Sequence, residues 1–316
     1  MKQRTFTLRQ IIEEGTAVLE GAGIEEAALD AWYLLEYTAG ISRASYYGDP
    51  GRILEERQAK QYLEYIEMRS RRIPLQHITG EQEFMGYPFY VNEHVLIPRQ
   101  DTETLVEEAV KIVRAKMRDM EGRKSLRILD MCTGSGCILL SIMKMCPLAE
   151  GVGCDISEEA LKIAGKNAER LGVNVKWIRS DLFERWDQPD QGNCAEETSV
   201  GKEPVRSDSR YDVIVSNPPY IPTEDIEGLQ EEVRFHDPRI ALDGGEDGLH
   251  FYRRIIEDSI SHIEDGGYLL FEIGCGQGKD VAELMEVHGY ENVMIKKDLS
   301  GLDRVAAGRY NGERQQ

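Results

Sequence analysis

The fold of this chain is decided at residues 127–136, which read Arg-Ile-Leu-Asp-Met-Cys-Thr-Gly-Ser-Gly. The short apolar run Ile128–Met131 predicts a buried strand. The glycines that follow predict a sharp turn in which the backbone can approach a ligand closely, and a helix is expected from about residue 136. A strand that leads through a glycine turn into a helix is the repeating unit of a doubly wound α/β sheet.

The sequence downstream repeats this alternation. Helices are expected at about 136–146, 157–171, 247–263 and 277–288, with short apolar strands between them. The seven candidate strands are Ile128–Met131, Gly151–Asp155, Val175–Arg179, Tyr211–Val215, Gly267–Ile273, Asn292–Lys297 and Arg304–Tyr310. The connection between the last two is too short for a parallel crossover, so they should pair antiparallel. Such an α/β, seven-stranded sheet with a final hairpin resembles the Rossmann-like sheet of class I methyltransferases more than the six-stranded sheet of dehydrogenases.

Two further segments precede this sheet. Residues 1–80 predict a small helical-bundle domain of three helices, the first opened by a capping box at Thr7 and Gln10 and the last closed before Pro74. Residues 81–98 are rich in aromatic and β-branched side chains interrupted by turn residues, and they predict a β-hairpin linker.

The sheet domain is expected to span residues 99–316, beginning with a helix near Asp101 or Thr102. Within it, residues 187–210 contain few large apolar side chains and many Pro, Gly, Ser and acidic residues. This composition predicts an exposed, mobile insertion before the fourth strand.

The charge balance of the 316 residues limits the classes of partner. Lys and Arg total 38 and Asp and Glu total 57, which gives a net charge of −19 at pH 7. A chain this acidic is not expected to bind nucleic acid directly, because phosphate neutralisation needs clustered cationic side chains. The charge favours a basic partner instead.

The sequence carries no signal for a membrane, for export or for a metal. It has no apolar run long enough to cross a bilayer, and its N-terminus lacks the apolar region of a secretory signal. The six cysteines form no CxxC pair and the six histidines form no HxxxH pair, so no metal site is expected. We therefore predict a cytoplasmic protein with reduced thiols and no membrane partner.

The glycine turn predicts a nucleoside-binding site. Asp155 ends the strand after the turn, where a carboxylate can accept the hydroxyl hydrogens of a ribose. A nicotinamide dinucleotide and S-adenosylmethionine both use this arrangement. The dinucleotide fingerprint needs a third glycine where this chain has Leu139, and Asp130 places a carboxylate where a pyrophosphate would need neutralising. An acid there suits a ligand with a cationic amino group and a sulfonium.

The third strand ends at the same edge of the sheet, and Asp181 and Leu182 follow it. An adenine ring can rest against Leu182 with its exocyclic amine near Asp181. On spacing alone, a turn or helix cap remains an open alternative for Asp181.

Residues 213–220, Val-Ile-Val-Ser-Asn-Pro-Pro-Tyr, are the most informative stretch. A buried strand runs directly into two prolines, which fix φ and remove backbone donors, so the loop is stiff. The Asn217 side-chain oxygen and the Pro218 carbonyl can each accept one hydrogen of a planar amide or aromatic amine, and Tyr220 can cover the planar group. This arrangement orients the nitrogen lone pair, which N-methylation of a weakly nucleophilic nitrogen requires.

These residues resemble the release factor glutamine methyltransferases, also called the HemK family of protein-(glutamine-N5) methyltransferases. The resemblance covers nearly the whole chain. Besides Asn217–Tyr220, the segments that carry it are Pro74–Gly80, Leu96–Arg99 with Thr102-Glu103, Asp237-Pro238, Ala241–Leu249, Glu272–Gly274 with Gln277-Gly278, and Asp298 through Arg304-Val305. The chain departs from the family at Gln100, where proline is usual, and at Cys132, where a glycine or another small residue is usual.

The resemblance implies an N-terminal domain that recognises a protein and a C-terminal domain that binds S-adenosyl-L-methionine. The implied substrate is the glutamine side chain in the Gly-Gly-Gln loop of class 1 peptide chain release factors. By motif position, the methionine part of the cofactor is expected near Cys132, Thr133, Gly134, Ser135 and Gly136, the ribose at Asp155 and the adenine at Leu182. The same transfer implies that Asn217, Pro218, Pro219 and Tyr220 bind the glutamine and that Asn217, which also borders the cofactor, Pro218 and Tyr220 are catalytic.

An adenine-N6 nucleic-acid methyltransferase is the alternative, because the same loop suits the exocyclic amine of a flipped base. It predicts a basic groove, against which the net charge of −19 counts. A non-catalytic binder that kept the fold is a second alternative, disfavoured by the intact Asn217–Tyr220 loop.

Overall fold

The structure is a computed structural model that describes residues 5–119, 125–187 and 210–312. The insertion predicted over 187–210 lies outside the described residues except at its two ends. Its character therefore stays a prediction.

The chain divides into two compact units. The first comprises the residues up to Glu81 together with Gln230–His236. The second comprises Gln82–Leu229 and the chain from Asp237 onward. The segment Gln230–His236 has no counterpart in the sequence-based division, and the boundaries at 80 and 98 stay predictions.

The first unit is helical. Its helices near the N-terminus are α1 (Leu8–Gly21), α2 (Ala27–Ala39), α3 (Arg43–Gly48), α4 (Glu56–Ser70) and α5 (Leu75–Thr79). The predicted capping box is confirmed, since the Thr7 side chain accepts from the Gln10 amide while the Gln10 side chain accepts from the Thr7 amide. The core between the helices includes Trp32, Leu35 and Tyr62, all buried. The short helices α3 and α5 were not predicted.

The linker hairpin and the large sheet are both present. The strands are β1 (Glu81–Phe84) and β2 (Tyr87–Tyr90), then β3 (Arg127–Met131), β4 (Glu150–Asp155), β5 (Lys176–Arg179), β6 (Tyr211–Ser216), β7 (Ile263–Glu272), β8 (Tyr290–Lys297) and β9 (Asp303–Tyr310). β1 and β2 pair as a two-stranded sheet, and the other seven follow the order β5-β4-β3-β6-β7-β9-β8. β9 is antiparallel to both β7 and β8, while the remaining pairs are parallel. The predicted fold class, with its final antiparallel hairpin, is confirmed.

Helices cover both faces of the seven-stranded sheet. They are α6 (Glu103–Arg118), α7 (Cys137–Met145), α8 (Glu158–Leu171), α9 (Glu184–Asp187), α11 (His250–Ser259) and α12 (Gly278–Val287). Side chains of α6, α7 and α8 pack with Ile128 and Val213 on one face, and side chains of α9, α11 and α12 pack with Leu129 and Ile214 on the other. Because adjacent residues of β3 and β6 belong to opposite cores, both faces are buried and the strands read as continuous apolar runs.

The segment between β6 and α11 is built from short helices that the sequence did not reveal. Two 3₁₀ turns, Thr223–Gly228 and Arg239–Ala241, flank α10 (Glu231–His236). α10 belongs to the first unit, where Glu232 accepts hydrogen bonds from Arg69 at 3.2 Å and from Arg72 at 3.3 Å. Arg69 is nearly buried and also pairs with Asp30 at 2.6 Å, so these charges satisfy one another.

Among the described residues, no helix combines the length and the apolar character that crossing a membrane requires. The described residues also contain no group of three or more His, Cys, Asp or Glu side chains placed to hold a metal ion.

Candidate active site

The carboxyl ends of β3, β4, β5 and β6 meet at one edge of the sheet, and a cavity opens there. It contains about 1110 Å³ of empty space, its open mouth included. All of its lining residues belong to the second unit. In an open α/β sheet this crevice is the expected ligand site.

The glycine turn forms the floor of the cavity. Cys132 has φ of 62° and Gly134 has φ of 55°, both in the left-handed region. A Cβ added at Gly134 would meet no atom within 4 Å, so the backbone here is bare toward open space. Cys132 is a poor choice for left-handed backbone, which gives a physical reason for the smaller residue usual at this position. Burial raises the pKa of the Cys132 thiol, so it stays protonated at neutral pH.

Gly136 has a different role from Gly134. A Cβ at Gly136 would lie 3.0 Å from the Trp177 ring and 3.2 Å from Ala164. Its φ of 78° also suits only glycine. Gly136 therefore lets α7 pack closely on its neighbours, and it is not among the residues that line the cavity.

Asp155 is held at the end of β4 by two backbone amides. Its Oδ2 accepts from the Gly134 amide at 2.8 Å, and its Oδ1 accepts from the Ser157 amide at 2.9 Å. Burial raises the pKa of Asp155, and these two hydrogen bonds oppose that rise. Each carboxylate oxygen keeps a second lone pair, so two ribose hydroxyls can still be accepted.

Asp130 is fully buried beside the turn. Its Oδ2 accepts from the Thr133 hydroxyl at 2.5 Å, whereas its Oδ1 has no hydrogen-bond partner among the described residues. Burial raises the pKa of Asp130 to about 7 despite the Thr133 bond. Asp130 does not line the cavity, so its charge can act on a ligand only through the intervening turn.

Leu182 and Asp181 lie where the sequence predicted them, on the cavity wall after β5. Leu182 is buried and has φ of 47°, an unusual conformation for a branched side chain. The Asp181 carboxylate is paired with Arg254 of α11 at 3.0 Å. Arg254 and its neighbour Phe251 also line the cavity, and sequence reasoning missed both.

The Asn-Pro-Pro-Tyr loop, residues 217–220, begins directly after β6. Pro218 and Pro219 are buried, and Asn217 and Tyr220 are half-buried. The Asn217 side chain and the Pro218 carbonyl have no hydrogen-bond partner within the described part of the chain. The Tyr220 hydroxyl donates to Glu272 at 3.3 Å, and this bond restrains the orientation of the ring.

A glycine-rich segment braces this loop. The Ile221 amide donates to the Leu242 carbonyl at 3.0 Å, and the Gly244 amide donates to the Ile221 carbonyl at 2.8 Å. A Cβ at Gly244 would lie 2.7 Å from the Tyr220 Cα, and one at Gly248 would lie 2.4 Å from the Tyr220 carbonyl oxygen. Only glycine allows the two backbones to come this close, which explains the first and last glycines of the Asp-Gly-Gly-Glu-Asp-Gly motif at residues 243–248.

The chain before α6 closes another side of the cavity. Pro98, Arg99 and Thr102 line it, together with Pro238 and Ile240 from the segment after α10. An ion pair of 2.5 Å between Arg99 and Asp237 joins these two walls. Asp237 is buried, so the pair fixes the position of both segments.

The cavity thus brings together most of the residues predicted from sequence. Those that line it are Cys132, Thr133, Gly134, Ser135, Asp155, Leu182, Asn217 and Pro219. Three predicted residues do not line the cavity but are next to lining residues in the sequence: Gly136, Pro218 and Tyr220.

Comparison with known proteins agrees with this geometry. Residues 10–80 match the family described as PrmC N-terminal domain, and residues 128–195 match a methyltransferase domain. A release factor glutamine methyltransferase of Geobacter sulfurreducens is 37% identical over 308 residues, which cover 98% of each chain. This chain belongs to the release factor glutamine methyltransferase family.

A second relative in the release factor glutamine methyltransferase family gives the same result. The relative from Caulobacter vibrioides is 39% identical over 307 residues, covering 97% of this chain and 98% of the relative. A solved structure of the release factor-specific protein-(glutamine-N5) methyltransferase of Alicyclobacillus acidocaldarius is 30% identical, with a TM-score of 0.40, and the match covers 71% of this chain and 99% of that one. The resemblance inferred from the sequence motifs is confirmed.

Proposed function

We propose that this protein methylates the N5 nitrogen of the glutamine in the Gly-Gly-Gln loop of class 1 peptide chain release factors, using S-adenosyl-L-methionine. The observation that carries the proposal is the Asn-Pro-Pro-Tyr loop at the edge of the cavity, with the acceptor groups of Asn217 and Pro218 left unpaired by the protein's described residues. Full-length similarity to release factor glutamine methyltransferases supports the same substrate.

The cavity fits S-adenosylmethionine. The bare backbone at Gly134 leaves room for the methionine part, and the remaining lone pairs of Asp155 suit the ribose. Leu182 offers an apolar wall for the adenine, and the Arg254–Asp181 pair places a carboxylate next to it. Asp130, whose pKa burial raises to about 7, is only partly ionised at neutral pH and contributes part of a negative charge through the turn.

When bound, S-adenosylmethionine supplies an electrophilic methyl group on its sulfonium. Asn217 Oδ1 and the Pro218 carbonyl accept the two N–H hydrogens of the glutamine amide. These bonds fix the plane of the amide and draw charge onto a nitrogen whose lone pair is otherwise delocalised. The half-buried Tyr220 ring, held by Glu272, covers the amide.

As the nitrogen bonds the methyl carbon, the methyl–sulfur bond would break and a neutral thioether would leave. The N–H proton would then pass to solvent at the open mouth of the cavity, because the methylated nitrogen is far more acidic than the amide. No strong base is required before bond formation. The apolar side chains of Pro98, Ile240 and Phe251 line the cavity and lower the polarity of its walls.

The test is mass spectrometry of a purified class 1 release factor after incubation with this protein and isotopically labelled S-adenosylmethionine. One labelled methyl group is expected on the glutamine of the Gly-Gly-Gln peptide. Absence of methylation, or methylation of another residue, would overturn the proposal. A release factor in which this glutamine is replaced by glutamate serves as the matched substrate control.

Asn217→Ala tests the assignment of the loop. Loss of one positioned hydrogen-bonding group should lower turnover by about 100-fold or more. The affinity for S-adenosylmethionine, measured by calorimetry, should stay within about threefold because the Gly134 and Asp155 contacts remain. Turnover close to that of the wild type would remove Asn217 from the reaction.

A further inference from the structure

Gln277 is a hydrogen-bonding hub behind the Asn-Pro-Pro-Tyr loop. It lies directly before α12, and its Nε2 donates to the Tyr220 carbonyl at 2.9 Å and to the Gly248 carbonyl at 3.3 Å. Its Oε1 accepts from the Gly274 amide at 2.9 Å and from the Tyr252 hydroxyl at 3.4 Å. One side chain therefore connects the loop, the glycine-rich segment that braces it and the end of β7.

The partners of Gln277 allow only a carboxamide. Tyr220 and Gly248 present carbonyl oxygens and Gly274 presents an N–H, so the side chain must both donate and accept. These partners also fix which atom is oxygen and which is nitrogen. A Cβ at Gly248 would lie 2.7 Å from Gln277 Nε2, and one at Gly274 would lie 2.8 Å from Oε1, so both neighbours are glycines that make room for this side chain.

The loop has few other restraints at this point. Pro218 and Pro219 have no amide hydrogens to donate. Within the described residues, Gln277 is the only donor to the Tyr220 carbonyl. The next fixed point along the chain is Ile221, whose amide bonds Leu242. Glu272 holds the Tyr220 hydroxyl, and Leu242 and Gly244 hold the Ile221 backbone. Gln277 therefore supplies the hydrogen bond to the Tyr220 main chain itself and contributes to the orientation of the preceding acceptors.

We propose that Gln277 is a positioning residue that sets the Asn-Pro-Pro-Tyr loop in the orientation used for methyl transfer. This rests on the proposed function for the catalytic consequence, but the restraint on the loop is independent of any substrate. Gln277 lines no part of the cavity, so it acts through Tyr220 and not on the cofactor.

Hydrogen exchange of the free protein tests the restraint directly. In Gln277→Glu a carboxylate replaces the donor and faces two carbonyl oxygens, so the Ile221 and Gly244 amides should exchange about tenfold faster. Amides inside β3 and β4 should exchange as in the wild type. With release factor as substrate, kcat should fall about tenfold or more, while the affinity for S-adenosylmethionine measured by calorimetry changes less than about threefold.

Gln82→Glu is the matched control. Gln82 is also half-buried and its Nε2 also donates to a main-chain carbonyl, that of Glu83 at 2.7 Å, but it lies in the hairpin outside the cavity. This variant should keep wild-type exchange at Ile221 and wild-type kcat. If Gln277→Glu does not fold, Gln277→Met removes the donor without adding charge and should show the same local change.

Unchanged exchange at Ile221 and Gly244 in the Gln277 variants would overturn the inference. Faster exchange spread evenly over the sheet would also overturn it, because that pattern indicates general destabilisation. Failure of the wild type to methylate a release factor would refute the proposed function, and the exchange measurement would still decide the role of Gln277.

Discussion

Cys132 occupies a backbone position whose left-handed conformation favours glycine. Its φ of 62° is left-handed, and the strained backbone is kept because the flanking residues of the turn are fixed by hydrogen bonds to β4. A cysteine side chain reacts as its thiolate. Because burial raises its pKa, the thiolate that would react is scarce at neutral pH.

Asp155→Ala should weaken the binding of S-adenosylmethionine by about 100-fold. The substitution removes two acceptors for the ribose and also the anchor of the Gly134 amide, and hydrogen bonds to charged groups are the strong ones. Calorimetry measures the change, with Asp225→Ala as control because Asp225 is exposed outside the cavity. Equal affinities for the wild type and Asp155→Ala would exclude Asp155 from the site.

Asp130 should make the protein less stable as the pH rises toward neutrality. Burial raises its pKa to about 7, so between about pH 4 and pH 7 the native state holds a proton that the unfolded state has lost. The free energy of unfolding should therefore fall with rising pH over this range, relative to Asp130→Asn, by at most about 4 kcal/mol.

Urea unfolding of the wild type and of Asp130→Asn at pH 5, 6 and 7 measures this difference. The difference between the two proteins should shrink or change sign in favour of the variant as the pH rises. A constant difference across the range would mean that Asp130 has an ordinary pKa in the folded protein.

At the scale of residues, the sequence predicted the cavity residues that follow strands but not those that α11 contributes to the cavity wall. Asp155, Leu182 and Asn217 follow strands directly, so the parallel sheet alone places them at one edge. Phe251 and Arg254 come from the first half of α11, and their approach to the cavity depends on how that helix packs. No pattern in the sequence gives that packing.

At the scale of elements, the central strands β3 and β6 were predictable because each is a short apolar run buried on both faces. The helices α3, α5 and α10 were not, since five or six residues show no helical periodicity. The segment 221–241 looked like a loop for the same reason. Its conformation depends on contacts between residues far apart in the sequence, such as Ile221 with Leu242 and Glu232 with Arg69.

Gly248→Ala should displace the Asn-Pro-Pro-Tyr loop. Gly248 has φ of 73°, and an added Cβ would lie 2.4 Å from the Tyr220 carbonyl oxygen, so the backbone must move. A destabilisation of about 2 kcal/mol is expected, with a large loss of turnover. Urea unfolding and methylation kinetics measure both effects.

Gly276→Ala is the control for this substitution. Gly276 lies in the nearby turn before α12 with φ outside the left-handed region, and an added Cβ would meet nothing within 4 Å. It should behave as the wild type. Equal behaviour of both variants would show that the close approach at Gly248 is not needed.

At the scale of the whole molecule, the net charge of −19 favours a protein substrate over a nucleic acid. The protein should show no saturable binding to duplex DNA at physiological salt, because its charge repels phosphates and phosphate contacts dominate such affinity. Fluorescence anisotropy with labelled DNA checks this, with labelled release factor as the positive control. Salt-dependent DNA binding together with adenine methylation would favour the alternative function.

The chain returns to the first unit at Gln230–His236, which limits how this unit can be exchanged between related proteins. The family match to residues 10–80 suggests a cassette that could be exchanged at a single junction. A chimera joined near residue 81 would instead separate Glu232 from Arg69 and Arg72, leaving a buried guanidinium short of one carboxylate. An exchange between family members should therefore replace the residues up to Glu81 together with Gln230–His236, so that α10 comes from the same protein as Arg69 and Arg72.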